Sequence, residues 1–330
     1  MSIQDHKLSR VQLSVIIVNW NSAEYLRESI VSIYDHTQGI DFEIIVVDNA
    51  STEAGVETLK DQFPAITLIK SEKNLGFAGA NNLGFKHSSG SYLLFLNPDT
   101  KLLAPSIVTL LECIKSLPDA GIVGCKLLNT DHSLQLDSVQ KFPTILNQVL
   151  DVEYLRLRWP QFPIWEIGAL FRDDLQAVPV EVIPGACMLV RKEVFEQVDM
   201  FSEDYFMYAE DIDLNYKIKH AGYTNYFVGE TAIIHHGGRS SSRQKVSQWA
   251  TTMKHRAMQR YYGKTRGKIY ESLYQVAMGC AAVGRLTILG MMTPFRRTAR
   301  DQESLAYSTA KWKAVLKWAV GRQNLSPENR

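Results

Sequence analysis

Four places along the 330-residue chain put acids or imidazoles at the ends of apolar runs. Asp48 closes "FEIIVVD". A carboxylate there can accept two hydrogen bonds, from the N3–H of a pyrimidine base or from a ribose hydroxyl. The turn-prone "DNAST" offers an Asx-turn as the alternative. Asp99 closes "YLLFLNPD", after Asn97 and Pro98. Proline cannot donate to a ladder, so strand pairing must stop there. A hard divalent cation, Mg2+ or Mn2+, takes oxygen ligands and needs one or two carboxylates when a diphosphate completes its shell. Turn or helix capping before Pro105 is the competing explanation. Glu210 and Asp211 open "EDIDLNYKIKH", behind Tyr205, Phe206 and Tyr208. Aromatics beside carboxylates make a partly dry pocket in which a general base is effective. The helix dipole alone would also favour acid at a helix start. Asp213 lies two residues beyond Asp211 and cannot share its face, so it is expected to make structural bonds. His235 or His236 ends an apolar run before Gly237. A neutral imidazole is a common metal ligand, and with Asp99 it would give a mixed Asp/His site.

A fifth feature is a loop, "NLGFAGANNLG". Gly76 and Gly79 allow close backbone approach to a ligand, and Asn74, Asn81 and Asn82 can bond a ribose or base. Its G-x-x-G spacing is not the dinucleotide fingerprint G-x-G-x-x-G, which argues against a nicotinamide dehydrogenase.

The elements that must position these groups follow from periodicity. Leu13–Val18, "FEIIVVD", Ala65–Ile69, "YLLFL" and "AGIVGCKLL" read as strands. Between them lie helices: one in "NWNSAEYLRESIVSIYDHT", with Leu26, Ile30, Ile33 and Tyr34 at helical spacing and Ser22 as candidate cap, one over about Glu53–Gln62, one closing at Gly90, and "PSIVTLLECIKSLP". Strand and helix alternate from residue 11 to about 128, which predicts a parallel sheet with right-handed crossovers. Ligands of open α/β sheets bind outside the carboxyl ends of the strands. The clusters Asn19-Trp20-Asn21, Asp48-Asn49 and Asn97-Pro98-Asp99 should therefore face one crevice. Residues 135–184 break the alternation and read as a large insertion or acceptor-facing lobe. A strand and helix follow in "ACMLVRKEVFEQV". Gly222 is placed to close the helix that starts at Glu210.

Hydrophobic residues make up 45% and charged residues 22%, so the chain is globular rather than disordered. The net charge is +1, but from Lys254 onward basic residues far outnumber Glu271, Asp301, Glu303 and Glu328. A basic end suits an anionic membrane surface better than nucleic acid, for which no reading motif is present. The four cysteines form no C-x-x-C pair, so neither zinc nor a disulfide framework is indicated. "MSIQDHKLSR" lacks a signal-peptide apolar core, and a reducing cytoplasm is expected. Near the end, "YESLYQVAMGCAAVGRLTILGMM" approaches the length of a membrane span. Its central Arg285 would cost ~2.5–3.5 kcal/mol in a bilayer. An interfacial helix over anionic lipid is expected, with packing on the catalytic domain as the alternative.

In their order, "SVIIVNWNSAEYLRESIVSI", "EIIVVDNAST", "NLGFAGANNLGF", "LLFLNPDT", "PGACMLVRKEVF", "FMYAEDIDLNYKIKHAGY" and "IIHHGGRSS" resemble the family-2 inverting glycosyltransferases of GT-A fold. The resemblance covers residues 11 to about 242 and is strongest to rhamnosyltransferase-like bacterial enzymes of surface polysaccharide synthesis. It implies a GT-A domain over 11–245 and a basic helical region over 246–330. It implies a nucleotide-diphospho-sugar donor, dTDP-rhamnose foremost, and a saccharide acceptor, probable carrier a polyprenyl lipid, used at the inner face of the cytoplasmic membrane. By the same resemblance Asn19, Asp48, Asn74, Gly76 and Asn82 lie on the nucleoside side. Asn97 and Asp99 stand where the family carries D-x-D, so one carboxylate is replaced by an amide. Asp99 and His235, the histidine of H-x-G-G, would hold the metal. Asp211 would be the catalytic base, with Glu210 beside it. A non-catalytic sugar-nucleotide-binding protein is the remaining rival.

Overall fold

In a computed structural model the described residues are 11–151, 153–172, 177–237, 248–293 and 298–322. Four strands, β1 (Leu13–Asn19), β2 (Phe42–Asp48), β3 (Thr67–Lys70) and β4 (Tyr92–Leu96), pair in parallel in the order β3-β2-β1-β4. Their residues alternate between two cores, as strand geometry requires. Val15 and Ile17 face one core with Leu26, Ile30 and Ile33 of α1 (Ala23–His36) and with α4 (Ser106–Ser116). Ile16 and Phe95 face the other, with Phe195 of α7 (Lys192–Gln197) and Leu214 of α8 (Glu210–His220). The helices between the early strands, α2 (Thr58–Gln62) and α3 (Gly76–Phe85), are shorter than the sequence pattern suggests. The Ser22 hydroxyl donates to the Trp20 carbonyl rather than capping α1. Gly222, at a φ of +95°, does close α8, and the Tyr223 N–H bonds back to the Ile218 carbonyl.

The parallel order stops at β4. The strand β6 (Ala120–Leu128), expected as the next parallel neighbour, is separated from β4 by β8 (Cys187–Arg191), which is antiparallel to both. Cys187 to Val190 are buried on both faces. Such a run specifies a central strand without specifying its direction. Beyond β6 lies β9 (Thr224–His235), parallel to it. Two short strands pair antiparallel with β9: β5 (Thr100–Leu102) and β7 (Val178–Val180).

The β5 pairing matters most for the site. The ladder of β4 ends at Leu96, as Pro98 demands, yet pairing resumes two residues after the proline on a different partner. Thr100 stands opposite His235, and the His236 N–H donates to the Asp99 carbonyl at 2.9 Å. The insertion contributes α5 (Ile145–Val149), α6 (Glu153–Arg158), two 3-10 turns and β7. The C-terminal region forms α9 (Gln248–Arg266), α10 (Lys268–Met292) and α11 (Ala299–Ala319). These three helices share a third core in which Tyr262, Tyr274 and Trp318 meet Tyr205, Ala209 and Ile212 at the start of α8. Arg285 turns into this body. It donates to the Val149 carbonyl at 2.7 Å and stacks over Trp312, so the charge that argued against an apolar α10 is not on its open face.

Candidate active site

The ends of β1 and β2 are tied together before any ligand is considered. Asn19 and Asp48 are buried. The Asn19 amide donates to Asp48 Oδ1 at 3.1 Å, and Ser51 donates to the same oxygen at 2.5 Å. Asn49 donates to Asn74 Oδ1 at 3.0 Å and accepts from the Leu75 N–H at 2.8 Å, fixing the loop before α3. Gly76 has a φ of +71°, and a Cβ there would stand 2.2 Å from the Phe206 carbonyl oxygen. Only glycine fits that approach. Asn82 is turned away from the strand tips. Its amide donates to Phe201 O and Glu203 Oε1 and its oxygen accepts from the Phe201 N–H, so it clamps α3 to the segment leading to α8. Asn81 likewise bonds the Phe77 carbonyl.

Beside this pair lies Asp99. His235 Nε2 stands 3.4 Å from Asp99 Oδ1 and 3.2 Å from the Asn97 amide nitrogen. Burial would raise the Asp99 carboxyl, but the bond and charge of His235 outweigh it and hold Asp99 below the usual carboxylate value. His235 Nδ1 lies 3.0 Å from Gln135 Oε1, and the Gln135 amide donates to the His235 carbonyl at 2.6 Å. This contact fits a proton on Nδ1 both in the charged ring, whose Nε2–H meets Asp99, and in the neutral ring, whose Nε2 lone pair would be free for a cation. An oxygen and an imidazole nitrogen side by side suit a divalent cation of Mg2+ or Mn2+ type. Among the described residues no third His, Cys, Asp or Glu joins them. His236 faces elsewhere, toward Thr130 and the ring of Tyr25.

Glu210 and Asp211 begin α8 behind Tyr208 and Ala209, two consecutive non-glycine residues at φ of +72° and +64°. Such strain costs of order 1–3 kcal/mol each and persists where surrounding packing enforces it. Here the C-terminal core supplies that packing. Asp211 Oδ2 accepts from the Gly185 N–H at 3.0 Å and Oδ1 from its neighbour Ile212 at 2.8 Å. Burial still raises its carboxyl above the ordinary value. Glu210 is pushed up to about 8, by burial first and by the Asp211 charge second. Its Oε2 is buried without a hydrogen-bond partner in the protein. Hydrogen bonds favour the ionised form, so the pair keeps its negative charge on Asp211 and its proton on Glu210. Asp213 points the other way and accepts from Ser202 and Tyr205, the structural part expected of it.

The carboxylate pair opens on a cavity of about 240 Å3 walled by Gln148, Asp151 and Trp165 of the insertion and by Lys254 of α9. Sequence reading missed four supports of this site. Gly185 sat inside a quoted motif with no role attached. Asn215, one turn after Asp211, bonds Ile183 through both N–H and C=O and also the Asp211 carbonyl. The i, i+4 polar repeat on a buried face was its signal. Gln135 and Lys254 lie in segments without periodic cues.

A sheet whose parallel half ends in polar tips, next to an Asp/His pair and a buried acid at a helix start, defines a sugar-nucleotide transferase fold. Solved structures agree. The mannosyltransferase PcManGT from Pyrobaculum calidifontis, in complex with GDP-Man and Mn2+, matches with a TM-score of 0.57 at 17% identity, over 96% of this chain and 89% of that one. GalNAc-T7 with UDP, GalNAc and Mn2+ matches with a TM-score of 0.53 at 14% identity, over 79% and 52%. The architecture is GT-A, and the protein is a glycosyltransferase of the hexosyltransferase class. Residues 14–199 match Glycosyl transferase family 2, and the chain belongs to that family. Among curated relatives, the N-acetylglucosaminyl-diphospho-decaprenol L-rhamnosyltransferase of Mycobacterium tuberculosis is 27% identical over 249 residues, 72% of this chain and 80% of its own length. Rhamnosyltransferase WbbL of Escherichia coli K12 is 26% identical over 244 residues, 71% and 88%.

Proposed function

We propose that the protein transfers a sugar, with inversion, from a nucleoside-diphospho-sugar to a hydroxyl of a lipid-linked saccharide in bacterial surface polysaccharide synthesis. The observation that carries this reading is the division of carboxylates at one edge of the sheet: Asp99 beside His235, and Asp211 on the Gly185 and Ile212 N–H groups, with the Asn97 N–H bonded to the Ala186 carbonyl between them. Asp48 bonds the pyrimidine, while Asn19 and Asn74 hold the loops that shape its pocket. Asn82 serves by positioning α3. Asp99 and His235 would hold a divalent cation, Mg2+ or Mn2+, which supplies positive charge where the leaving diphosphate develops its own. Asp211 takes the proton of the acceptor hydroxyl. That oxygen attacks the anomeric carbon from the face opposite the diphosphate, whose C–O bond breaks. Glu210, protonated, keeps a second charge out of the pocket.

The two rhamnosyltransferase relatives support rhamnose as the sugar, for which dTDP-rhamnose is the donor we propose, and the acceptor in the mycobacterial enzyme's name supports a polyprenyl diphosphate carrier. The reading is tested by a panel of UDP-, dTDP- and GDP-sugars scored for turnover with and without Mn2+. Turnover of dTDP-rhamnose above the others is expected. Turnover of none sinks the assignment, and preference for a UDP-hexose replaces the donor.

We further place the enzyme, cytoplasmic, on the inner membrane face through α10. Ile269, Leu273, Val276, Val283 and Met291 lie exposed along it, between basic flanks, with Arg285 turned away. Tyr274, Met278 and Ala282 bind the opposite side into the third core, which favours lying on a bilayer over crossing it. Flotation with anionic liposomes should be lost in Leu273→Asp/Val276→Asp. Undiminished flotation of that variant contradicts this placement.

A further inference from the structure

A second cleft continues from the cavity beside Asp211. It has a volume of about 210 Å3 and runs between the end of α5, α9, α10 and α11. Gln148, Asp151, Tyr208 and Lys254 line both spaces, so the two are joined. Lys254 stands at the junction, and Lys311 of α11 lines the second cleft beyond it.

The cations around these spaces are not equivalent. Lys141 pairs with Glu166 at 2.5 Å, and Arg156 is held by Asp137 at 3.0 Å and Asp151 at 3.6 Å. Lys254 and Lys311 have no carboxylate within 4.0 Å among the described residues. The acids that act on them from farther away are Asp211 on Lys254 and Asp151 on Lys311, and Asp151 is also engaged by Arg156. Both lysines act on their surroundings. Burial first, and then Lys254 and Lys311, push the imidazole of His255 down to about 3. Burial lowers Lys311 and the nearby Lys254 lowers it further. Two ammonium groups without a close ion-pair partner, lining one narrow space, favour an anion between them. The rest of that wall includes apolar and aromatic groups, Met278, Tyr307 and Trp312.

We propose that Lys254 and Lys311 form an anion subsite for the diphosphate of the acceptor. The saccharide extends from there into the cavity of Asp211, and the first prenyl units lie on Met278, Tyr307 and Trp312. The inference deepens the transferase reading and rests on it. The joined spaces offer the groups that a prenyl-diphospho-saccharide needs: the base beside a sugar-sized space in the first, Lys254 shared by both, and Lys311 with an apolar wall in the second. The subsite is separate from the donor diphosphate position at Asp99, which uses a metal instead of lysines.

That difference supplies the test. Binding of farnesyl diphosphate to the full chain is measured by calorimetry in EDTA, without nucleotide. The wild type should bind. Lys254→Gln and Lys311→Gln, which keep the aliphatic stem, should each weaken binding by about tenfold, and the double variant more. Asp99→Ala should bind as the wild type does. Farnesol should bind all variants alike. Equal affinity in wild type and double variant overturns the subsite, as does loss of binding in Asp99→Ala, which would place the ligand at the strand tips. A double variant that loses affinity for phosphatidylglycerol vesicles but not for farnesyl diphosphate also overturns it, making the lysines a headgroup contact. Failure of the transferase reading is distinct, since it appears as absent sugar-nucleotide turnover with this binding intact.

Discussion

Asp99 and the Glu210–Asp211 pair stand at the same edge of the sheet, beyond the end of β4 and before the start of β8, but are held in opposite states. Asp99 ends a strand, meets His235, and is kept below the ordinary carboxylate value despite its burial. Glu210 and Asp211 start a helix, where the dipole alone would favour their charge. They are nevertheless raised, because the insertion and the C-terminal helices roof them. Burial wins over the dipole there, whereas a local partner wins over burial at Asp99. One fold thus keeps one carboxylate ionised for a cation and another ready for a proton. The sheet builds the first station, and the additions to the sheet build the second.

The largest effect is expected at the proton station. Asp211→Asn keeps an oxygen for the Gly185 N–H but cannot take a proton. Turnover should fall by roughly 10²–10⁴ while binding of the sugar nucleotide, followed by calorimetry, survives. Near-normal turnover would remove Asp211 as base. At the cation station, Gln135→Leu leaves Asp99 and His235 in place but frees the imidazole to choose its tautomer. Metal affinity should drop by about 10–100-fold, as other losses of a histidine's supporting partner do. A titration of activity with Mn2+ after EDTA treatment reads this directly. Unchanged half-saturation would mean that the orientation of His235 by Gln135 is irrelevant. Gly76→Ala tests the seam between the stations. Its Cβ would meet the Phe206 carbonyl at 2.2 Å, so a lowered melting temperature is expected, with a loss larger than the ~1 kcal/mol that Gly→Ala can gain where the backbone allows it.

The contrast also explains what the sequence made legible. β1, β2 and β4 announce themselves because strands buried on both faces are unbroken apolar runs, and their polar ends stand out against them. Asp48 and Asp99 stand out in this way, whereas Asp211 stands out at a helix start behind a run of aromatics. Asp99 and His235 were expected together, but the pairing of β5 with β9 that joins them was not visible, because three residues, Thr100 to Leu102, are too few to show a period. The antiparallel insertion of β8 was hidden because burial pattern carries no direction. Asn82 was misleading for another reason. An asparagine in a glycine-rich loop suits a ligand or a neighbouring backbone equally, and only the fold reveals that Phe201 and Glu203 consume it. Arg285 reversed its meaning once α5 and Trp312 were seen beside it.

The smallest expected effect is the most discriminating. Glu210 and Asp211 titrate as a pair, and the geometry gives the first charge to Asp211. With Glu210 neutral at that step, Glu210→Gln should leave the acid limb of the kcat profile where it is. If the limb moves by about a unit, Glu210 ionises first and the roles are exchanged. Stability gives an independent reading. A carboxyl raised from 4.5 to about 8 by folding favours the native state fully only below 4.5, and that contribution is lost as pH rises through 8. Glutamine has no proton to lose. Wild type and Glu210→Gln should therefore melt alike near pH 4.5, with the variant gaining steadily up to pH 8 and levelling off above it. The gain is at most a few kcal/mol. A constant offset at every pH would trace instead to packing, and would show that the buried Oε2 of Glu210 does not hold the proton.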